Sequence, residues 1–274
     1  MLFGILPFDA ASWLGGCVAE TIGPRLGVTK RARLNLRRAM PALTDGDIER
    51  IVHGMWNNIG RVVAEYAHLD EFDVAEPNKR IEGVGVEVFR QGPPPGQRFI
   101  FFSAHYGNWE IATVVASLAG YAITGIYRAI NNPIVDRLIM DARTRTGSEL
   151  IPKGAIAAKG AVGALLQGRS LCLLVDQKMN DGIAVPFFGR DAMTAPALAR
   201  LALRYDCVCV PVRVVRTKGA HFRLMAEPAL PLPKTGDVEA DTMTLMTAVN
   251  ATVERWVRER PDQWFGWLHR RWPD

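Results

Sequence analysis

The chain has 274 residues, 49% of them apolar, which suffices to bury one large core and does not require a second domain. A formal net charge of +5 indicates an anionic partner, and a phospholipid surface, a phosphorylated substrate or a nucleic acid would each satisfy it. The aromatic residues lie in apolar stripes and are not interleaved with the basic clusters, which argues against a nucleic-acid binder. The four cysteines form no Cys-x-x-Cys pair, so neither a zinc site nor a disulfide framework is indicated.

The first 27 residues are apolar without resembling a cleavable signal. They begin with no basic region, and Pro7 and Asp9 interrupt the apolar run. No run approaches the roughly 20 apolar residues that a membrane-spanning helix needs. The segment can instead lie in a membrane interface. The side chains expected to face the lipid are Phe3, Leu6, Phe8, Trp13 and Leu14.

Two helices follow. Residues 30–38 carry five basic side chains that would form a basic amphipathic helix, typical of membrane surfaces, although an ordinary solvated helix face explains the pattern equally well. Apolar residues from Thr44 to His68 recur at intervals of three and four, which predicts a long amphipathic helix. His53 and His68 on this helix have no second ligand at helical spacing, so we expect them to be surface or capping residues.

The segment Ser103-Ala-His-Tyr-Gly-Asn-Trp-Glu110 follows a short buried strand, Arg98–Ser103, and precedes an apolar helix. Residues five apart on a helix point about 140° away from each other, so His105 must precede the helix if Glu110 lies on it. We expect Asn108 to cap the helix and Glu110 to lie in its first turn. From there Glu110 could reach back to His105 and orient it as a general base. A structural ion pair would produce the same spacing.

Strands and helices alternate in the rest of the chain, which predicts an α/β fold with a central, mostly parallel sheet and helices on both faces. The predicted strands are Ala122–Tyr127, Glu149–Ile151, Ser170–Val175 and Cys207–Val212, with His221–Met225 antiparallel at an edge. The predicted helices span residues 133–145, 155–167, 195–204 and 241–258.

Polar residues follow two of these strands. Arg128 comes after the first, and Asp176 and Gln177 come after the third. Ligands of α/β sheets bind at the carboxyl ends of the strands, so we expect these side chains near His105 if the strands are neighbours. A guanidinium there could hold a phosphate or an oxyanion, whereas Asp176 could equally be a turn cap.

Several blocks in the chain are similar to one family. His105-Tyr-Gly-Asn-Trp-Glu110 resembles the His-x4-Asp/Glu motif of the lysophospholipid acyltransferase superfamily, and in particular its bacterial lipid A late acyltransferase branch. The other matching blocks are Asn35-Leu36, Met40-Pro41, Tyr127-Arg128, Asn132-Pro133, Asp176-Gln177, the run from Val185 to Arg190 and the tail from Trp264 to Trp272.

The resemblance implies a lysophospholipid acyltransferase-like fold preceded by amino-terminal amphipathic helices. It implies a single acyltransferase domain over residues 1–274, with a helical membrane-associated part over residues 1–70 and an α/β catalytic core over residues 80–274. Together with the apolar start and the basic cluster, it implies a peripheral protein on the cytoplasmic face of the bacterial inner membrane.

The activity that the resemblance implies is transfer of a fatty acyl chain from a thioester, on acyl carrier protein or coenzyme A, to a hydroxyl of an anionic glycolipid such as a lipid A precursor. His105 would be the base and Glu110 its partner, with backbone amides near Gly107 supporting the oxyanion. The expected substrate-binding residues are Arg128, Asp176, Gln177 and Asn108. Arg270 and Arg271 would hold phosphates or the bilayer surface, and no metal or other cofactor is needed.

Two alternatives remain open from the sequence. One is acylation of another acceptor, such as a phosphatidylinositol mannoside, another glycolipid or a lysophospholipid. The other is a catalytically inactive lipid-binding protein of the same fold, which a buried or disordered dyad would favour.

Overall fold

A computed structural model describes residues 2–72, 80–118, 120–127, 133–145, 149–152 and 155–272. The described α-helices are α1 (Phe8–Ile22), α2 (Thr29–Ala39), α3 (Asp45–Glu65), α4 (Glu87–Gln91), α5 (Glu110–Leu118), α6 (Pro133–Arg145), α7 (Ala155–Leu166), α8 (Ala197–Tyr205) and α9 (Val238–Glu259). The described strands are β1 (Ile81–Val84), β2 (Phe99–Ser103), β3 (Ile123–Tyr127), β4 (Glu149–Pro152), β5 (Ser170–Leu174), β6 (Lys178–Phe187), β7 (Arg190–Thr194), β8 (Val208–Lys218) and β9 (His221–Ala226).

Seven of these strands form one sheet in the order β1-β9-β8-β2-β5-β3-β4. The pairs from β8 to β4 are all parallel, which confirms the predicted mostly parallel α/β sheet. Strand β9 is antiparallel to β8 as expected, but it is not an edge strand, because β1 pairs with its other side.

Strand β2 is at the centre of the sheet and is buried along its whole length. Ile100 and Phe102 project into one apolar core, and Phe99 and Phe101 project into a second core on the opposite face. Burial on both faces explains why the strand sequence is continuously apolar and does not alternate with polar residues.

The chain also forms a two-stranded antiparallel sheet from β6 and β7, which we did not predict. Pro186 lies within β6, and a proline weakens the sequence signal of a strand because it removes a backbone donor. The two strands turn at Gly189, whose φ is 68°.

The amino-terminal helix α1 packs closely along α3. A Cβ atom at Gly60 would lie 2.1 Å from the carbonyl oxygen of Gly15, so this contact requires glycine. Helix α3 begins at the predicted place, with a capping box between Thr44 and Asp47.

The prediction that Phe8 faces lipid is wrong, because Phe8 is only 5% exposed and contacts His68 and Phe72. His68 is likewise buried and is not a surface residue. Trp13 on α1 is 59% exposed, and Val18 and Ile22 are also exposed. Among the described helices, none combines the length and apolar character needed to cross a membrane.

Candidate active site

His105 and Asp176 are brought together by the register of two neighbouring strands. Ser103 at the end of β2 pairs with Leu174 at the end of β5, so the residues two positions further along each chain lie opposite each other. The His105 Nδ1 atom is 2.8 Å from Asp176 Oδ1, and the His105 backbone N–H donates to Asp176 Oδ2 at 3.0 Å. Asp176 thus lies at the carboxyl ends of the strands as predicted, but it contacts the histidine and was expected to bind substrate.

The carboxyl-terminal tail completes the surroundings of this pair. The Trp264 indole N–H donates to Asp176 Oδ2 at 2.9 Å, and the Phe265 backbone N–H donates to the His105 carbonyl at 2.9 Å. The His105 side chain is 13% exposed and that of Asp176 only 2%. One side of the imidazole is therefore anchored inside the protein, while its edge remains accessible.

Asp176 is held in its ionised form. Burial opposes ionisation, but the charge of His105, its side-chain and backbone hydrogen bonds and the Trp264 indole outweigh burial. Together they keep the pKa of Asp176 well below the ordinary value for an aspartate. Because an ionised carboxylate only accepts hydrogen bonds, His105 Nδ1 carries a proton toward it, and in the neutral form of the imidazole the lone pair is then on Nε2.

Glu110 does not contact His105, contrary to our prediction for this motif. Its carboxylate receives two hydrogen bonds from Arg143 of α6, at 2.8 and 2.6 Å, and one from the Tyr66 hydroxyl at 2.8 Å. Burial raises the pKa of Glu110, but the charge and hydrogen bonds of Arg143, together with Tyr66, lower it to below the ordinary value. The carboxylate lies in the first turn of α5 as predicted, facing the interior.

Asn108 is fully buried and has no exposed atom to offer a substrate. Its side-chain oxygen accepts from the Glu110 backbone N–H, which is the predicted capping role, and its amide nitrogen donates to Glu65 at 2.8 Å. Glu65 in turn forms a buried, two-bond ion pair with Arg216 of β8. We therefore assign Asn108 to the helix cap and not to substrate binding.

Gly107 turns the chain between the histidine and the helix. Its φ is 57°, and a Cβ atom there would lie 1.8 Å from the Val214 carbonyl oxygen, so only glycine fits. Its N–H donates to the Gln263 carbonyl, and the Tyr106 N–H donates to the Ala104 carbonyl. Neither of these two amides is available to an oxyanion.

Four side chains border the accessible edge of His105. Trp109 and Phe265 have ring centroids 5.2 and 6.0 Å from the imidazole, and the His269 ring is 6.3 Å away. The Gln177 amide nitrogen lies 3.4 Å from His105 Nε2, at the predicted sheet edge. Of these, the sequence predicted only Gln177. Phe265 and His269 were not predicted, because nothing in the tail motif indicates that the tail folds back onto the histidine.

Two further predictions concern arginines. Arg128 lies outside the described residues, and its strand β3 is separated from β2 by β5, so the condition that the strands be neighbours is not met. Arg271 is buried and donates to the Met193 carbonyl and to Thr194, so it cannot hold a substrate phosphate. Burial lowers its pKa to about 10. Within the described ranges, no cluster of three histidine, cysteine or acidic residues could hold a metal ion.

The chain is similar to known proteins over nearly all of its length. It is 22% identical over 96% of its length to a lipid A biosynthesis acyltransferase of Haemophilus influenzae, 82% of which is covered. It is 25% identical over 89% of its length to the lipid A biosynthesis myristoyltransferase of Escherichia coli, 75% of which is covered. For the lipid A biosynthesis lauroyltransferase of Escherichia coli, the identity is 23% over 97% of this chain and 86% of the relative.

A sequence profile of one family matches residues 1–274, which is the full length of the chain. This match confirms the resemblance inferred from the motif blocks. The protein is an acyltransferase and belongs to the bacterial lipid A biosynthesis acyltransferase family.

Proposed function

We propose that this protein transfers a fatty acyl chain from an acyl thioester, on acyl carrier protein or coenzyme A, to a hydroxyl of a lipid A precursor, with His105 as general base and Asp176 as its orienting carboxylate. The observation that carries the proposal is the 2.8 Å contact between His105 Nδ1 and the ionised Asp176. It directs the lone pair of Nε2 toward the accessible edge of the imidazole, where a substrate hydroxyl can approach.

In the proposed reaction, Nε2 of His105 removes the proton of the acceptor hydroxyl as the hydroxyl oxygen attacks the thioester carbonyl carbon. The carbonyl π electrons move to oxygen, and Asp176 stabilises the imidazolium that forms. Collapse of the tetrahedral intermediate breaks the carbon–sulfur bond. The leaving thiolate takes the proton from Nε2, so the products are an ester and a free thiol.

The aromatic side chains at this edge support a lipid substrate. Trp109 and Phe265 stack on each other with ring centroids 6.2 Å apart, and both lie beside the imidazole. Apolar rings at a reacting nitrogen exclude water, which would otherwise compete with the acceptor hydroxyl for the thioester. They also provide apolar surface for the first carbons of an acyl chain.

The proposal is tested by incubating the purified protein with an acyl thioester and a lipid A precursor in detergent. We expect release of free thiol and a glycolipid whose mass increases by one acyl chain. Both thiol release and the mass shift should require the glycolipid. Thiol release at the same rate without an acceptor would indicate a hydrolase, and an unchanged thioester would favour the inactive lipid-binding alternative.

We also propose that the protein attaches peripherally to an anionic membrane surface through α1 and α2. Leu14, Val18 and Ile22 are exposed at intervals of four residues along one face of α1. The next helix, α2, carries the cations Lys30, Arg31 and Arg38. Exposed apolar side chains beside a basic helix match the boundary between acyl chains and anionic headgroups.

Binding to phospholipid vesicles tests this attachment. The double variant Val18→Ser/Ile22→Ser should bind vesicles containing anionic lipid at least about tenfold more weakly, because each apolar side chain contributes more than 1 kcal/mol on transfer from water. The matched control is Leu166→Ser, since Leu166 is 72% exposed on α7, and its binding should equal that of the parent. Equal binding of parent and double variant, measured by vesicle sedimentation, would place the attachment elsewhere.

A further inference from the structure

A basic groove lies between α2 and the carboxyl-terminal tail. It has a volume of about 190 Å³. Its lining residues are Lys30, Arg31, Leu34, Asn35, Arg38, Arg270 and Trp272. Four of the seven are cations, and no carboxylate is among them.

The cations of α2 divide into two groups. Arg33 pairs with Glu49 at 2.6 Å and Arg37 pairs with Asp45 at 2.9 Å, so these charges are balanced by acidic residues. Within the described part of the chain, the four cations of the groove form no ion pair. Arg31 donates only a long hydrogen bond of 3.3 Å to a backbone carbonyl. Like charges that line a cleft without counter-charges concentrate a positive potential in it, and an anion entering the cleft relieves their repulsion.

The groove adjoins the candidate active site through the tail. Arg270 directly follows His269, whose ring lies 6.3 Å from that of His105. Asn35 in the groove wall fixes this part of the tail by donating to the His269 carbonyl at 3.0 Å. The groove wall and the surroundings of His105 are therefore built from adjacent residues of the tail.

We propose that this groove binds a phosphate monoester of the glycolipid acceptor, which rests on the acyl transfer proposed above. Arginine guanidinium groups match phosphate oxygens in two-bond geometry, and the groove supplies three of them. Leu34, which is exposed, provides apolar surface for a lipid beside the charges. Phosphate binding there would orient the acceptor so that its hydroxyl approaches His105.

Calorimetry in neutral detergent micelles tests the groove with two probes: a glycolipid carrying a phosphate monoester and the same lipid after phosphatase treatment. The double variant Arg38→Gln/Arg270→Gln should raise the Kd of the phosphorylated lipid at least about tenfold, because it removes charge-assisted hydrogen bonds. Its Kd for the dephosphorylated lipid should not change. The matched control Arg37→Gln removes one charge from the same helix outside the groove, and it should bind both lipids like the parent.

Several results would overturn the proposal. One is equal binding of both lipids by the parent, and another is equal weakening of binding by Arg37→Gln. A third is that the double variant weakens binding of the acyl thioester alone, because the groove would then bind the donor. Thiol release is measured in parallel to separate the two proposals. Phosphate-dependent binding without turnover would contradict only the acyl transfer, whereas turnover with no dependence on the groove would contradict only the phosphate site. The thermal midpoint of each variant should equal that of the parent, since both replaced side chains are exposed.

Discussion

Asp176→Asn should lower kcat by about 10² to 10⁴, to nearly the level of His105→Ala, because it places the histidine proton on the wrong nitrogen. Asp176 Oδ2 accepts two fixed N–H groups, from the His105 backbone and the Trp264 indole. The single oxygen of an asparagine must therefore take that position, and its NH₂ group then faces Nδ1. The imidazole would respond by moving its proton to Nε2, where no lone pair remains for the acceptor hydroxyl.

Steady-state kinetics with the thiol-release assay measures this effect. Because Asp176 is buried, KM should stay within about twofold of the parent value, so the loss should fall on kcat. Asp191→Asn is the matched control, since Asp191 is exposed, and it should retain parental rates. A raised KM with an unchanged kcat would instead support the prediction from the sequence that Asp176 binds substrate.

Much of the local structure around the site could be predicted from the sequence. The buried run before His105 and the apolar run after Glu110 determine a strand and a helix, and each signal is contained within a few residues. The cap at Asn108 is equally local, because a capping side chain bonds to a backbone group two or three positions ahead. That His105 precedes the helix followed from helical geometry alone.

The partners of the two motif residues could not be predicted, because they depend on strand order. Asp176 contacts His105 only because β5, the third strand after β2 in the chain, lies directly beside β2 in the sheet. Glu110 meets Arg143 because α6 packs near the start of α5, an arrangement with no signature in the spacing of residues. Adjacency of elements far apart in sequence is a property of the whole fold, and periodicity reports only the local conformation.

The tail connects these distant elements. Gln263 accepts the N–H of Gly107 through its backbone carbonyl, while its side chain accepts from the backbone N–H of Arg216 and donates to the Arg216 carbonyl. Trp264 reaches Asp176 from the same segment. A short run of residues thus links the motif loop, strand β8 and the partner of the histidine. The sequence of the tail alone does not indicate any of these contacts.

Glu110→Gln should reduce the free energy of unfolding by about 3 kcal/mol at pH 7, because it neutralises the buried carboxylate that binds the largely buried Arg143 with two hydrogen bonds. The folded state lowers the pKa of Glu110, so the ion pair contributes its full stability above the unfolded-state pKa of about 4.3 and loses it as the pH falls further. The stability difference between parent and variant should therefore shrink below about pH 4.3. Urea unfolding at a series of pH values measures this difference.

A second variant separates this structural role from a catalytic one. Glu110→Gln/Arg143→Met removes both charges, and it should be more stable than Glu110→Gln alone, because the arginine no longer bears the cost of burial without the carboxylate that binds it with two hydrogen bonds. Since Glu110 contacts Arg143 and Tyr66 and does not contact His105, the folded single variant should retain thiol release far above that of His105→Ala. If Glu110→Gln unfolds at the same urea concentration as the parent while its turnover falls to the His105→Ala level, then Glu110 acts in the reaction and the role assigned to it here is wrong.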